Sequence, residues 1–343
     1  MITAQVTAHP SEPSAVAAPP ILSVQGLSVE FPGPNAAIRA VGDVSFSIPA
    51  GDILALVGES GSGKSVTALS ILGLVSAPGR LVGGSVQFEG RELTDLPEHE
   101  MARIRGRRIG WVSQTPRASL NPSFKIGRQI AAVLAACSPD LKGSAVDRRI
   151  DALLRPLGFT EPARVTSAYP HQLSGGMCQR VCIALALAGD PIMLIADEPT
   201  TALDVSVQAQ ILSLLHQLNA ERGLSILIIT HDLAIVSALS HRVMVLYGGQ
   251  VQETGPTAEV LADPAHPYTR ALIAAIPDST TFDGRIPQLR GQAEPPIAGV
   301  PGCRFAARCD HAFVACHQTL PSAHAAGHGG RVRCHLHQPV GSP

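Results

Sequence analysis

Four residues separate Gly58 from Gly63-Lys64-Ser65 in the run Gly58-Glu59-Ser60-Gly61-Ser62-Gly63-Lys64-Ser65-Val66. Glycines at this spacing let successive backbone N–H groups close on anionic oxygens. The lysine then reaches the outer phosphates of a triphosphate, and the serine hydroxyl can ligate Mg²⁺. The bland alternative is a glycine-rich turn with a solvent-facing lysine. A second set with chemical potential is Asp197-Glu198, placed directly after the apolar run Ile192–Ala196. Asp197 would hold Mg²⁺, directly or through water, and Glu198 would polarise an attacking water. Many buried strands end in an acid, so this pair says little alone. It gains weight from the glycine loop, because a magnesium–nucleotide site needs both parts.

Leu173-Ser174-Gly175-Gly176-Met177 follows Tyr-Pro-His-Gln and precedes Cys-Gln-Arg. Read locally, it is a loop that caps a helix. Together with the two sets above it resembles the signature of ATP-binding cassette (ABC) transporter nucleotide-binding subunits, most often written Leu-Ser-Gly-Gly-Gln. Met177 departs at the fifth position. Ser174 and the two glycines, which offer hydroxyl and backbone N–H donors to a phosphate, are retained. The resemblance implies roles for further positions. Gln114 resembles the glutamine that contacts Mg²⁺ and water beside the membrane partner. His231 resembles the histidine on the γ-phosphate. Asp204, in Thr201-Ala-Leu-Asp204, resembles an aspartate acting across a dimer interface; its local alternative is an N-cap. Phe31 is a candidate for stacking on adenine, and equally a core phenylalanine. On this reading Glu198, His231, Lys64 and Gln114 are catalytic, and Ser65, Gln114 and Asp197 surround Mg²⁺. One signature and one phosphate loop cannot complete a site, so the resemblance implies a second cassette, identical or homologous.

The elements needed to carry these residues are legible as patterns. Ile53–Val57, Ile192–Ala196 and Ser225–Thr230 are short continuous apolar runs of the kind covered on both faces. Helix-like stretches alternate with them at Lys64–Leu74, Gln179–Ala188 and Val205–Arg222. Strand–helix alternation predicts a mainly parallel sheet with crossover connections. Ile21–Glu30 and Val44–Ile48 alternate apolar and polar residues and predict an antiparallel edge. Between Arg117 and Tyr169 helical stretches dominate, among them Gly127–Ala136 and Ala145–Leu157. The resemblance names the fold as a P-loop NTPase cassette of α/β class, with a RecA-like core, an antiparallel β edge and a helical subdomain. The expected division is a disordered tail over 1–20, the ATPase domain over 21–255 with its helical subdomain at about 115–190, and a loop-rich extension over 256–343.

That extension is punctuated by proline. It carries His266-Pro-Tyr-Thr269 and Gly302-Cys-Arg-Phe-Ala-Ala-Arg-Cys309, which resemble the carboxyl-terminal region of oligopeptide and dipeptide importers. Cys303, Cys309, Cys316 and Cys334 lie there, separated by five, six and seventeen residues. Structural zinc sites usually contain pairs two to four residues apart, and none occurs here. Zinc, with His311, His317 or His335 contributing, remains open on spacing alone, as do an iron–sulfur cluster and unligated thiols. The importer resemblance implies a [4Fe–4S] cluster with a structural role.

With 26 basic against 27 acidic residues the net charge is -1, which argues against a uniform basic field for a nucleic-acid backbone. No apolar run approaches the roughly 18 residues of a spanning helix. The resemblance therefore implies a peripheral ATPase on the cytoplasmic face of the membrane, powering uptake of di- or oligopeptides. Its implied partners are two transmembrane permease subunits and an extracytoplasmic peptide-binding protein. Import of nickel or another small solute is the alternative, and a soluble cassette acting on nucleic acid or ribosomes is a more distant one.

Overall fold

The computed structural model describes residues 19–201, 203–275, 291–292, 295–327 and 329–338. The expected tail over 1–20 falls almost wholly outside the described residues. Two sheets form the frame. The first is antiparallel, in the order β2 (Ile38–Ile48), β1 (Leu22–Phe31), β4 (Arg80–Phe88), β5 (Arg91–Glu92). The alternation read in β1 buries Leu22, Val24, Leu27 and Val29. β4 was not visible in the sequence pattern, and the reason is physical. Its first five residues are exposed, and Gly83-Gly84 interrupts the alternation. Gly84 is required because a Cβ there would lie 2.6 Å from the Leu27 backbone.

The second sheet runs β11 (Ala323–Ala325), β12 (Arg331–Arg333), β10 (Gln250–Pro256), β9 (Arg242–Tyr247), β3 (Ile53–Val57), β8 (Ser225–Thr230), β7 (Met193–Asp197), β6 (Ile109–Val112). From β9 to β6 the strands are parallel, and β10, β12 and β11 add antiparallel at one end. Every residue of β3, β7 and β8 is buried. The pleat splits their side chains between two apolar cores. Ile53, Ala55, Val57, Leu194, Ala196, Ile226 and Ile228 face the helical side, while Leu54, Leu56, Met193, Ile195, Leu227 and Ile229 face the antiparallel sheet. A strand buried on both faces must read as an unbroken apolar run, which is why these three were legible.

The stretch expected to be helical contains Ile126–Cys137, Ser144–Leu154 and Pro162–Ser167, followed by Gly175–Leu187. The last begins four residues before the expected Gln179, because the Ser174 side chain caps it. The described residues of the extension carry more regular structure than its proline content suggests. Besides helices at Thr257–Ala262 and Pro267–Ala274, it supplies β11 and β12 to the main sheet, pairing Val332 with Glu253 of β10. It also contributes Val260, Tyr268 and Phe305 to the larger core. Among the described residues, no helix is long and apolar enough to cross a membrane.

Candidate functional site

β3, β8, β7 and β6 are neighbours and parallel, so their carboxyl ends open on one edge. The glycine loop leaves β3, His231 follows β8, Asp197-Glu198 ends β7, and Gln114 lies two residues beyond β6. Ligands collect at such an edge, because the strands deliver their terminal groups there and the following helices turn their N-termini toward it.

The loop takes a shape that only glycine accepts easily. Gly58, Gly61 and Gly63 have φ of 151°, 77° and 102°. At Gly63 an added Cβ would stand 2.3 Å from the Ala40 carbonyl oxygen. Gly63→Ala is therefore expected to combine left-handed strain of about 1–2 kcal/mol with a backbone collision. The expected result is a lowered Tm together with lost nucleotide binding, measured by thermal denaturation and fluorescent-nucleotide titration. The Lys64 ammonium folds back onto the loop, donating to the Gly58 carbonyl at 2.7 Å and the Glu59 carbonyl at 2.9 Å. Burial lowers its pKa, opposed by the charges of Glu198, Asp197 and Glu59.

Asp197 is 3% exposed, and its Oδ1 has no hydrogen-bond partner. Burial raises its pKa; the Ser65 hydroxyl, hydrogen-bonded to it, and the Lys64 charge oppose the rise, while Glu198 adds to it. A buried, unpartnered carboxylate oxygen beside a hydroxyl is the hard oxygen donor set that Mg²⁺ takes, so Asp197 and Ser65 fit that ion. Glu198 sits at φ 48°, a strained position for a non-glycine residue, held by its N–H bond to the Ile229 carbonyl at 2.8 Å. Its side chain is gripped on both oxygens. His231 Nδ1 lies 3.1 Å from Oε1, and the Thr201 hydroxyl donates to Oε2 at 3.0 Å. Burial pushes the Glu198 pKa up, but hydrogen bonds from His231, Thr201 and Gln114, with the His231 charge, outweigh it and the net shift is downward. The group is kept ionised, as a base or water-orienting carboxylate must be.

The structure thus gathers Lys64, Ser65, Gln114, Asp197, Glu198 and His231. It leaves the signature apart from them in its bonding: Ser174 is exposed, and its Oγ accepts from the Met177 N–H of its own helix at 3.2 Å. Asp204 behaves likewise, accepting from the Val207 N–H at 2.9 Å and the Ser206 hydroxyl at 2.8 Å. Within one chain both do the work of N-caps. Phe31 packs against the core beside the antiparallel sheet, and a Cβ on Gly79 would meet its ring at 2.4 Å. Its ring is half-buried there.

The expectation of a [4Fe–4S] cluster, or of zinc, finds no support in the arrangement. Among the described residues no group of three or more His, Cys, Asp or Glu side chains could hold a metal ion. The four thiols do share a neighbourhood. Burial raises Cys303 to about 11, with Cys334, Cys316 and Cys309 adding repulsion, and burial also raises Cys309 and Cys334. As placed they pack as small apolar groups, Cys303 and Cys309 against the main core and Cys334 in a cluster with Ala265, Ala326 and Val332.

Two residues of the extension reach the glycine loop without any sequence signal of that contact. The Tyr268 hydroxyl accepts from the Glu59 N–H at 2.9 Å, and the Arg308 guanidinium pairs with the Glu59 carboxylate at 2.7 and 3.1 Å. Both lie in stretches whose letters were informative about ancestry alone.

Comparison with known proteins agrees with this geometry. The family model described as ABC transporter matches residues 41–201, and that described as oligopeptide/dipeptide transporter, C-terminal region, matches residues 252–316. The oligopeptide transport ATP-binding protein AppD of Bacillus subtilis is 44% identical over 326 residues, covering 94% of this chain and 98% of its own length. The dipeptide transport ATP-binding protein DppD of Escherichia coli is 41% identical over 315 residues, covering 92% and 96%. Among solved structures, a dimeric post-hydrolysis state of the ATP-binding cassette MJ0796 bound to ADP and Pi superposes with a TM-score of 0.63 at 30% identity. It covers 69% of this chain and 98% of that one. Cassette core and carboxyl-terminal region match in one chain, and the relatives align nearly end to end: the chain belongs to the ATP-binding cassette transporter family, in its oligopeptide and dipeptide branch.

Proposed function

We propose that this chain is the ATP-hydrolysing subunit of a membrane importer of di- or oligopeptides, working as one of two cassettes that close on ATP. The observation that carries the catalytic part is the Glu198 carboxylate, held ionised by His231, Thr201 and Gln114 on the edge that also presents the Lys64 loop. The peptide as cargo rests on the extension and on the named activities of AppD and DppD.

In this mechanism Gly58–Val66 wraps the triphosphate, and Lys64 exchanges the Gly58 and Glu59 carbonyls for outer phosphate oxygens. Mg²⁺, when bound, neutralises charge on the phosphates and is held by Ser65 and Asp197 with Gln114 nearby. Glu198 orients the attacking water and takes its proton, while His231 steadies the Glu198 carboxylate and contacts the γ-phosphate. Ser174, Gly175, Gly176 and Asp204 of each cassette serve the nucleotide of the other. That assignment explains why these polar groups bond only locally within a single chain. ATP then stabilises the closed pair, and hydrolysis releases it. Residues 21–255 form the motor, with 115–190 facing the permease, and 256–343 form the branch-specific extension.

The partners that follow are a second cassette, identical or homologous, two membrane-spanning permease subunits and an extracytoplasmic peptide-binding protein. The chain would sit at the cytoplasmic face of the membrane. Solubilising membranes from cells expressing the tagged chain tests this directly. Co-purification of two membrane-spanning polypeptides and a second cassette is expected, with ATPase activity that rises when peptide-loaded binding protein is added. Recovery of nucleic acid in place of membrane subunits would overturn the importer assignment.

A further inference from the structure

The contact between the extension and the glycine loop is built from buried polar groups, one layer on another. Glu253 of β10 is fully buried, and its carboxylate accepts the backbone N–H groups of Ala265 at 2.7 Å and His266 at 2.9 Å. His266, 1% exposed, then caps the helix Pro267–Ala274, its Nδ1 accepting from the Tyr268 N–H at 2.9 Å. Burial holds the His266 pKa down at about 3, so the ring stays neutral and can accept. This fixes Tyr268, whose ring is fully buried between Tyr247, at 4.6 Å and 63°, and Phe305, at 5.3 Å. Arg308 lies over the Tyr247 ring at 5.6 Å, and its Nη1 also donates to the Tyr247 hydroxyl at 3.1 Å.

Both residues converge on Glu59. Its N–H goes to Tyr268, its carbonyl accepts from Lys64, and its carboxylate takes Arg308 in a two-pronged pair with the Arg308 side chain only 7% exposed. The Glu59 hydrogen bonds hold the guanidinium well above its ordinary pKa. Glu59 carries the same charge sign as the phosphates its loop wraps, so leaving it unneutralised would weaken anion binding. A planar guanidinium cancels that charge and sets its direction at once, which a lysine cannot do. When Lys64 leaves the Glu59 carbonyl for phosphate, Tyr268 and Arg308 still hold the residue.

We propose that Arg308 and Tyr268 are positioning residues of the nucleotide site: the extension clamps the phosphate loop at Glu59 and neutralises it beside the triphosphate. This rests on the ATP-site reading above, and the test separates the two. With the full chain, a fluorescent ATP analogue is titrated into wild type and Lys64→Ala; equal affinity would sink the ATP site itself, whatever the clamp does. Arg308→Ala is expected to raise Kd and KM for Mg-ATP on the order of tenfold, the scale of a lost charge-assisted hydrogen bond. Its kcat is expected to stay within about twofold, since loop positioning acts on binding. Adding Glu59→Gln to Arg308→Ala is expected to recover most of the lost affinity, because a neutral amide no longer opposes phosphate. Arg308→Lys should fall between wild type and alanine, and Tyr268→Phe, which removes one hydroxyl, should raise Kd a few-fold. Unchanged KM in Arg308→Ala, or no recovery in the double variant, would reduce Arg308 to a support of the fold and overturn the proposal. If Arg308→Ala does not fold, Arg308→Lys and Tyr268→Phe decide it: wild-type Kd in both overturns the clamp.

Discussion

Glu198→Gln is expected to bind Mg-ATP with near wild-type affinity yet hydrolyse it about 10²–10⁴-fold more slowly, the usual loss on removing a general base. The amide has nearly the same shape, so Thr201 and His231 retain a partner at 3.0 and 3.1 Å, and the left-handed backbone at φ 48° is unaffected. What disappears is the ability to take a proton from water. A cassette that binds ATP and cannot cleave it should accumulate as the closed pair. Single-turnover hydrolysis measures the first effect, and light scattering with ATP against ADP measures the second. Normal turnover in this variant would remove Glu198 from the catalytic role. The wild-type pH profile gives an independent check. The folded-state pKa of Glu198 is depressed, so its carboxylate is ionised throughout the neutral range, and activity dependent on it is lost only as pH falls below the ordinary glutamate range.

Lys64→Ala is expected to fail earlier, at binding. Its ammonium bridges the two ends of the loop through Gly58 and Glu59 and would transfer to the outer phosphates. Each charge-assisted hydrogen bond lost to phosphate is worth about 1.5–3 kcal/mol, so two of them predict an affinity loss of about 10²-fold or more. The residual hydrolysis rate should also drop, because a cation aimed at transferring oxygens supports the transition state. Isothermal titration with Mg-ATP checks the binding, and circular-dichroism melting checks that the fold survives. ATP binding within a few-fold of wild type would contradict the placement of Lys64. The two variants should therefore differ in kind: Glu198→Gln traps a nucleotide-bound pair, while Lys64→Ala remains open and empty.

The sequence by itself determined the parallel sheet and its catalytic edge. β3, β7 and β8 are buried on both faces, so they had to be written as unbroken apolar runs, and the glycine loop, the Asp197-Glu198 pair and His231 each stand at the carboxyl end of one. The glycine loop was equally legible, because φ values of 151°, 77° and 102° exclude most other residues. The tertiary structure decided what depends on contacts between distant segments. β4 pairs into its sheet although its exposed, glycine-interrupted strand carries little pattern. The cysteine spacing left ligation open, because ligation depends on where separate segments place their sulfurs, and among the described residues they form no group that could hold a metal ion. The packing of Phe31 against the antiparallel sheet likewise comes from contacts between segments rather than from its neighbours in sequence. Most of all, no local pattern joins Arg308 to Glu59 across 249 residues, because an ion pair formed by folding leaves no periodicity in either segment. Local rules of burial and backbone geometry write themselves into neighbouring letters; a clamp made by a helix and a turn of the extension meeting the glycine loop does not.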